Sequence, residues 1–487
     1  MPPLLALAVG LAFVFVLLAI EHRRATTSFA LWIPTIWMFF AASRPLSRWF
    51  AVAQSSGQSE GSLLDRLMMT ALILAGMVIL IGRRRQIDWG GFVRRNFWLI
   101  AFFLYLGLSA MWSEVPYISL KRWIRTSGVI VMAMVVMTEA EPLPALERIV
   151  RRCAYVLLPL SIIFIKYFPE YGRQYVRWDG VVMWTGVTTH KNSLGALCAI
   201  SVLVIVTSLF RKRPAHDIFW PRLQTLADLS IVALAAILLR GAEEGTYSAT
   251  AVVVVVAGSA LSAVLLTRKS GGRLIAAHLR VFAVVAVLLY LAFWDAITTT
   301  GATLLNRRTD LTGRATEIWP FVLQEAAKHP ILGGGYGGVW NLGGDLSTFL
   351  GLEQAHNGYL DVYLQLGIVG CVLLALFLLE FCARIGQQFK CDRLWGVFGI
   401  TFFFINLIYN LSETAFFDVN LGALMVVMTV TFSVSGQTAA EREVEALPQP
   451  LAPPRRWRPP SDRRRASEPA WQAKPVSIPP HRWPTAR

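Results

Sequence analysis

The sequence predicts an all-α protein, a polytopic bundle of transmembrane helices with one large extracytoplasmic loop. Of its 487 residues, 55% are hydrophobic, and the mean hydropathy is +0.52, which is more apolar than a soluble domain of ordinary composition. Apolar runs long enough to cross a hydrocarbon core of about 30 Å recur along the chain. Basic residues cluster where these runs end, as they do at the cytoplasmic ends of membrane helices. These observations together predict about 11 to 13 spans.

The first apolar run is interpreted as a retained span rather than a signal peptide. It has no basic segment before Leu4, and no small-residue cleavage pattern precedes Glu21. The span count stays open by one or two at the amino end, where the run at 29–42 is short. The predicted spans contain residues 4–20, 29–42, 67–81, 97–112, 129–137 with flanks, 154–165, 194–210, 229–239, 249–266, 281–294, 360–381, 394–408 and 421–434.

The basic clusters also predict which loops lie outside the cytoplasm. If the spans alternate, arginines and lysines near residues 83–95, 148–152, 211–213, 269–273 and 384–393 fall on one side, which we take to be the cytoplasm. This accounts for a net charge of +16 without nucleic acid as a partner. We therefore expect a multi-pass protein of a bacterial inner membrane. The opposite, periplasmic side then holds residues 113–119, 166–192, 241–248, 298–357 and 410–418.

The chain divides into a membrane domain, residues 1–437, and a tail, residues 438–487. The tail is rich in Pro and Arg and has no apolar period, so we expect it to be disordered and cytoplasmic. Its charge suits anionic lipid headgroups of the membrane, although a solvated tail without a function fits equally well. The five cysteines lack paired spacing, and no disulfide framework or zinc site is predicted.

The outer loop at 298–357 contains Arg314, the first candidate for a catalytic role. Loops of this length are uncommon unless they have a function. Arg314 follows a glycine and precedes apolar residues at helical spacing, so it can lie along the membrane surface with its guanidinium toward a lipid-linked phosphate. Bidentate binding there would stabilise negative charge on a leaving diphosphate. The alternative is an interfacial arginine that extends to water near a span end.

His356 is the second catalytic candidate, at the outer mouth of the span that begins near Tyr359. A histidine there can remove the proton of an acceptor sugar hydroxyl as a general base. The alternative is a helix-entry histidine that binds the loop, with Asn357 as the helix cap. The glycines at 333–335 lack the strand, turn and lysine of a nucleotide loop. No Asp-x-Asp motif lies on the outer side, and no metal or cofactor is expected.

The loop motifs resemble the O-antigen ligase and polymerase superfamily, and within it the ExoQ-like exopolysaccharide polymerases. The resemblance extends over about residues 112–418 and is strongest in three segments. In that superfamily a histidine in the third motif is essential, which implies the same for His356. The segments are Gly-Arg-x-x-x-Ile-Trp from Gly313, Leu-Gly-Gly-Gly-Tyr-Gly from Leu332, and His-Asn-Gly-Tyr-Leu-Asp from His356.

Three further basic residues are assigned to diphosphate binding. Arg122 and Arg125 fall within about one helical turn of each other, in a segment that is similar to the family's entrance segment. Charges at such depth are costly unless they face a cavity or a partner. Lys191 lies in Thr-His-Lys-Asn-Ser, which is similar to the family's His-Lys-Asn motif. His190 is interpreted as structural.

The resemblance implies a GT-C-like membrane glycosyltransferase that acts on glycans attached to undecaprenyl diphosphate. It would polymerise or ligate repeat units at the periplasmic face, without metal or nucleotide, alongside assembly proteins such as a chain-length regulator. The alternative is a transporter or flippase of lipid-linked oligosaccharide, whose charges should lie near the bilayer midplane on interrupted helices. Here the charges gather on one side. Neither the choice between polymerase and ligase nor the repeat sugar, linkage, acceptor or oligomeric state follows from the sequence.

Overall fold

The computed structural model describes most of the membrane domain. The described residues are 1–23, 27–50, 62–175, 181–211, 219–242, 247–267, 269–293, 296, 299–300, 303, 314–340, 354–417 and 421–446. Of the predicted outer loop, residues 314–340 and 354–357 are described, while most of its remainder lies outside the described residues. The predicted tail lies outside them from residue 447 onward.

The described residues of the amino-terminal half are mostly helical. Proline often occupies the first helical turn, where no backbone N–H donor is lost, as at Pro116 and Pro142. The helices are α1 (Pro3–His22), α2 (Trp32–Ala41), α3 (Leu46–Trp49), α4 (Leu63–Gly82), α5 (Trp89–Arg95), α6 (Phe97–Leu108), α7 (Pro116–Met137), α8 (Pro142–Tyr167) and α9 (Pro169–Gly172).

The carboxyl-terminal half continues the same pattern. Its helices are α10 (Lys191–Leu209), α11 (Phe219–Arg240), α12 (Ala249–Thr267), α13 (Lys269–Ala277), α14 (Leu279–Ala292), α15 (Trp319–Ala326), α16 (Gly358–Cys391), α17 (Arg393–Tyr409) and α18 (Leu421–Ala446). The final nine residues of α18 fall within the predicted tail. Residues Met1–Ala440 form one compact unit, and the second unit, Glu441–Arg487, is described only at 441–446, which end α18.

The helical class predicted from the sequence is confirmed, and the chain is a multi-pass membrane protein. Within the described ranges, six helices are long and apolar enough to cross a bilayer. Apolar helices of 10–17 residues add to them at Phe29–Ala41, Phe97–Met111, Leu279–Tyr290, Arg393–Tyr409 and Leu421–Val434. The one β element of the described chain is a small hairpin, Arg173–Tyr175 with Val182–Trp184, where Arg173 pairs with Trp184.

Helix α10 lies at the centre of the bundle. Its apolar window is 78% buried, against 22% for α1 and 17% for α4, which present most of their surface outward. α10 packs on α8, α11, α12 and α17. One apolar core joins α6, α7, α16, α17 and α18, and a second joins α1, α8, α10 and α11. Since α10 is fixed on several sides, its first residues are a rigid platform for a site.

Two of the basic residues counted as loop charges lie inside the bundle on α8. Arg151 contacts Asp228 of α11 at 3.1 Å, and Arg152 contacts Glu21 of α1 at 2.8 Å. All four side chains are buried. A buried charge requires a partner of this kind, so these arginines link α8 to α11 and α1. Their positions are therefore weaker evidence for the cytoplasmic side than those of loop residues.

Helix α16 is kinked where a glycine-rich turn packs against it. Gly367 has a φ of 62° inside the helix, a conformation that favours glycine. The backbone N–H of Gly334 donates to Leu364 at 3.0 Å, and that of Gly335 donates to Gln365 at 2.9 Å. We call residues 333–340 the glycine turn. The kink lets this turn lie directly against the helix backbone.

Candidate active site

Four segments meet at one end of the bundle. They are the start of α10, the start of α16, the loop that follows α17, and a π-helical turn at Arg314–Ile318. The Gly358 N–H donates to Asn410 at 2.8 Å, and the Tyr409 hydroxyl donates to the Asn192 carbonyl at 2.9 Å. These contacts hold the helix ends together independently of any charged group.

Glu413, in the loop after α17, is the centre of this arrangement. Its Oε1 accepts from Arg314 at 2.9 Å and from the Asn192 amide at 2.5 Å. Its Oε2 lies 3.3 Å from the Nδ1 atom of His356. One carboxylate therefore joins the two catalytic candidates, which are 42 residues apart in the sequence (356 − 314).

His356 is held in an unusual backbone conformation. Its φ is 51°, and it is the one non-glycine residue with positive φ in the described part of the chain. This left-handed region costs most residues about 1 kcal/mol or more. Directly after it, the Asn357 side chain accepts from the N–H groups of Tyr359 and Leu360 and so caps α16. Asn357 thus caps the helix, as in the alternative interpretation, and the ring of the preceding His356 contacts Glu413.

Arg314 is supported from two directions. Its Nη1 donates to the Ser412 carbonyl at 2.7 Å, beside the ion pair with Glu413. The π turn that it begins leads into α15, whose Trp319 donates to the Ala355 carbonyl at 3.2 Å. The Arg314 segment is therefore fixed to the residue immediately before His356.

The site favours an ionised carboxylate among positive groups. Burial alone raises the pKa of Glu413, but the hydrogen bond from His356 and the charge of Arg314 outweigh it and hold that pKa below its ordinary value. Burial lowers the pKa of His190, and the nearby charge of Glu413 only partly offsets this. His190 caps α10 by accepting from the Asn192 N–H at 3.3 Å, in line with its structural interpretation.

Lys191 lies beside this centre and also lines a small cavity. The cavity opens between the start of α10 and the end of α11, and Trp184, Tyr247 and Ser248 contribute to its wall. Lys191 follows His190 directly and adds positive charge near it. The structure thus brings Arg314, His356 and Lys191 to the same end of the bundle.

Arg122 and Arg125 belong to α7 and lie near the glycine turn, which packs further along α16. The Arg122 guanidinium donates to the Gly337 carbonyl, and the Gly337 N–H donates to Gln365 at 2.6 Å. Gln365 is eight residues beyond the cap Asn357. The contact of the glycine turn with α16 is therefore about 12 Å along the helix from its start. The Arg125 side chain is exposed. Arg122 is therefore bound to the protein's own backbone, while Arg125 points away from the packed interior.

Glu413 was not among the site residues predicted from the sequence, although its loop, 410–418, was predicted to lie on the outer side. The available signal was an acidic residue in Asn-Leu-Ser-Glu-Thr at a span end. Asn192 belonged to a motif already noted but had no assigned role. Among the described residues, no group of three or more His, Cys, Asp or Glu side chains is placed to hold a metal ion.

The sequence of the chain is similar to those of known proteins. Residues 234–375 match the family model described as O-antigen ligase, a range that contains both Arg314 and His356. The chain is also similar to the exopolysaccharide production protein ExoQ of Rhizobium meliloti (strain 1021). The two are 24% identical over 308 residues, which cover 61% of this chain and 67% of ExoQ. The resemblance inferred from the loop motifs is confirmed.

Proposed function

Starting from the confirmed likeness to the O-antigen ligase and polymerase superfamily, we propose that the chain is a membrane glycosyltransferase of polysaccharide assembly. It polymerises or ligates oligosaccharide repeat units carried on undecaprenyl diphosphate, as in the biosynthesis of exopolysaccharide or O-antigen. The reaction takes place at the periplasmic face of the bacterial inner membrane, and the tail lies in the cytoplasm. A chain-length regulator and other assembly proteins are the expected partners.

One observation carries the proposal: Arg314 and His356 share the Glu413 carboxylate. The base acts on the hydroxyl that attacks the anomeric carbon and the cation on the diphosphate that leaves the same carbon, so the two groups must lie close to each other. The two contacts with Glu413 meet this requirement for two residues from separate motifs. An isolated interfacial arginine or a helix-entry histidine would not require it.

In the proposed reaction the oxygen of an acceptor sugar hydroxyl attacks the anomeric carbon of the lipid-linked glycan. The hydroxyl proton passes to Nε2 of His356, and a new glycosidic bond forms. The bond between the anomeric carbon and the phosphate oxygen breaks, and its electron pair leaves with undecaprenyl diphosphate. Arg314 stabilises the negative charge on that leaving group.

The energy comes from the sugar–diphosphate bond, so the proposal includes neither a nucleotide nor a metal. Arginine takes the charge-stabilising role at the diphosphate because its planar fork of N–H donors matches phosphate oxygens. Arg125, Lys191 and Arg122 add positive charge along the path of the diphosphate.

The test is complementation of a polymer-deficient strain with His356→Ala and Arg314→Ala. We expect both variants to insert in the membrane and to lose long-chain polymer, with rates reduced by about 10²-fold or more. His329→Ala is the matched control, because this exposed histidine of the same loop lies outside the proposed site. Full-length polymer from both site variants would overturn the proposal.

The same strains separate an enzyme from a flippase. A flippase defect would stop outward delivery of the lipid-linked repeat while leaving polymerisation intact when the substrate is supplied outside. For the proposed enzyme, we expect the repeat to reach the outer face and accumulate there unpolymerised in the His356→Ala strain.

A further inference from the structure

Glu413 occupies a position for which the proposed reaction has so far given no role. It is 6% exposed, although a carboxylate is rarely buried to this extent unless it is paired. Its partners come from three other parts of the chain: Asn192 of α10, Arg314 of the π turn, and His356 before α16. The loop that carries it is fixed in turn, because the Asn410 side chain accepts from the Ala415 N–H at 2.9 Å.

We infer that Glu413 is a positioning residue, which orients His356 as the base and holds Arg314 beside it. The inference deepens the proposed function and rests on it. The Nδ1–H group of His356 donates to the carboxylate, which leaves Nε2 without a proton and able to receive one from the acceptor hydroxyl. The other carboxylate oxygen holds the guanidinium, so one side chain sets the geometry of both groups.

The tautomer of His356 decides which of its two ring nitrogens can act as the base. In a neutral imidazole one nitrogen is a donor and the other an acceptor, and the hydrogen bond at one nitrogen selects the state of the other. A carboxylate only accepts, so it selects the proton at Nδ1. The same carboxylate stabilises the imidazolium that forms when Nε2 takes up the hydroxyl proton.

Asn192 makes the carboxylate rigid. Its side-chain amide donates to the Oε1 atom that also accepts from Arg314, and its backbone carbonyl accepts from the Tyr409 hydroxyl. Since α10 is the most buried candidate span, Asn192 is fixed by the packing of the whole helix. The carboxylate therefore cannot rotate freely away from His356.

The groups around Glu413 keep its carboxylate ionised. Arg314, Lys191 and the rings of His190 and His356 lie around it. A neighbouring carboxylate favours the protonated form of a base, so we expect removal of the Glu413 charge to move the acidic limb of the pH–rate profile to lower pH.

The experiment compares Glu413→Gln with the wild type in purified full-length protein, with a lipid-linked repeat as the substrate. The glutamine keeps the shape but can offer an N–H to Nδ1, which selects the wrong tautomer. We expect kcat to fall by about 10² to 10⁴-fold, with a smaller change in the KM for the donor lipid. The acidic limb of the residual activity should lie at lower pH than in the wild type.

The matched control is Glu325→Gln on α15. Glu325 is paired with Lys328 at 2.6 Å on the same outer segment, and we expect its replacement to leave kcat and the pH profile unchanged. A Glu413→Gln enzyme with the kcat of this control would overturn the inference. So would a reduced kcat with an unmoved acidic limb, because that is the result of structural support alone.

If Glu413→Gln does not accumulate in membranes, Glu413→Asp is the variant that tests the positioning role. It keeps the charge but is shorter by about 1.5 Å, so we expect a reduced kcat with the acidic limb in its wild-type position. Wild-type kcat from this variant would contradict the positioning role. Activity in His356→Ala and Arg314→Ala would defeat the proposed function itself, whereas loss in both with full activity in the Glu413 variants would defeat this inference alone.

Discussion

Arg122 and Arg125 are three residues apart on α7 but lie in different surroundings. The Arg122 guanidinium donates to the Gly337 carbonyl of the glycine turn. Arg125 is exposed, and its charge lies near Tyr336 of the same turn. Arg122 thus contributes to folding of the turn, while Arg125 is more available to a diphosphate in solvent or in the headgroup layer.

This difference predicts separate effects of two glutamine substitutions. Arg125→Gln should raise the KM for the lipid-linked donor about tenfold with little change in thermal stability, since a lost ground-state contact acts on KM. Arg122→Gln should also lower the unfolding temperature, because the buried Gly337 carbonyl loses its charged donor. Initial rates against donor concentration and melting in detergent measure both effects. Equal melting temperatures for the two variants would contradict the assigned support role of Arg122.

His356 and Arg314 were predictable because each lies in a local motif that can be seen in the sequence. Glu413 was not, because the feature that distinguishes it is its contact with these two side chains, which lie 57 and 99 residues away in the sequence. No local pattern distinguishes it from other acidic residues at span ends. Asn192 is a similar case, since its partner is 221 residues away.

The glycine turn and the kink in α16 form one structural unit. At Gly337 the φ is 70°, and an added Cβ atom would lie 2.6 Å from the Cδ atom of Arg122. At Gly367 an added Cβ atom would lie 2.3 Å from the Ile331 carbonyl oxygen. Glycine is therefore required at both positions, by backbone conformation and by close approach.

We predict that Gly337→Ala destabilises the protein by about 1 to 3 kcal/mol. The strained backbone and the displaced Arg122 side chain both contribute, and activity should fall in parallel because His356 lies just before the start of α16. Gly82→Ala is the control, since an added Cβ atom there meets nothing within 4 Å. Thermal unfolding of the two purified variants measures the difference, and an unchanged melting temperature for Gly337→Ala would refute the prediction.

The helices show where apolar runs define an element and where they do not. The long runs predicted α1, α4 and α12 closely. Helices α7 and α8 begin well before the apolar runs that identified them, at Pro116 and Pro142, because their amino-terminal halves carry charges. Those of α8 are neutralised by partners such as Asp228, 77 residues away from Arg151. Such distant pairing cannot be inferred from local hydropathy.

The whole bundle places the candidate active site at one end of α16 and a cluster of basic residues at the other. α16 has 34 residues, and at 1.5 Å per residue it is about 50 Å long, which exceeds the thickness of a hydrocarbon core. His356 lies just before its first residue, while Arg384 and Lys390 lie near its end. The distribution of positive charge favours the second end as cytoplasmic.

This orientation predicts opposite labelling of two thiols. Lys328→Cys, in a background with Cys371→Ser and Cys391→Ser that leaves only buried cysteines, should react with a membrane-impermeant maleimide in spheroplasts. The native Cys391, which is exposed at the end of α16, should react only after the inner membrane is disrupted. The reverse pattern would place Arg314 and His356 in the cytoplasm, where the proposed reaction does not occur.

The most direct measurement uses purified protein in liposomes with a defined oligosaccharide on undecaprenyl diphosphate. Glycosidic bonds formed and undecaprenyl diphosphate released are counted in the same reaction. We predict equal amounts of both for the wild type and for His329→Ala, and loss of both for His356→Ala. Bond formation without release of the lipid diphosphate, or undiminished turnover in His356→Ala, would contradict the account.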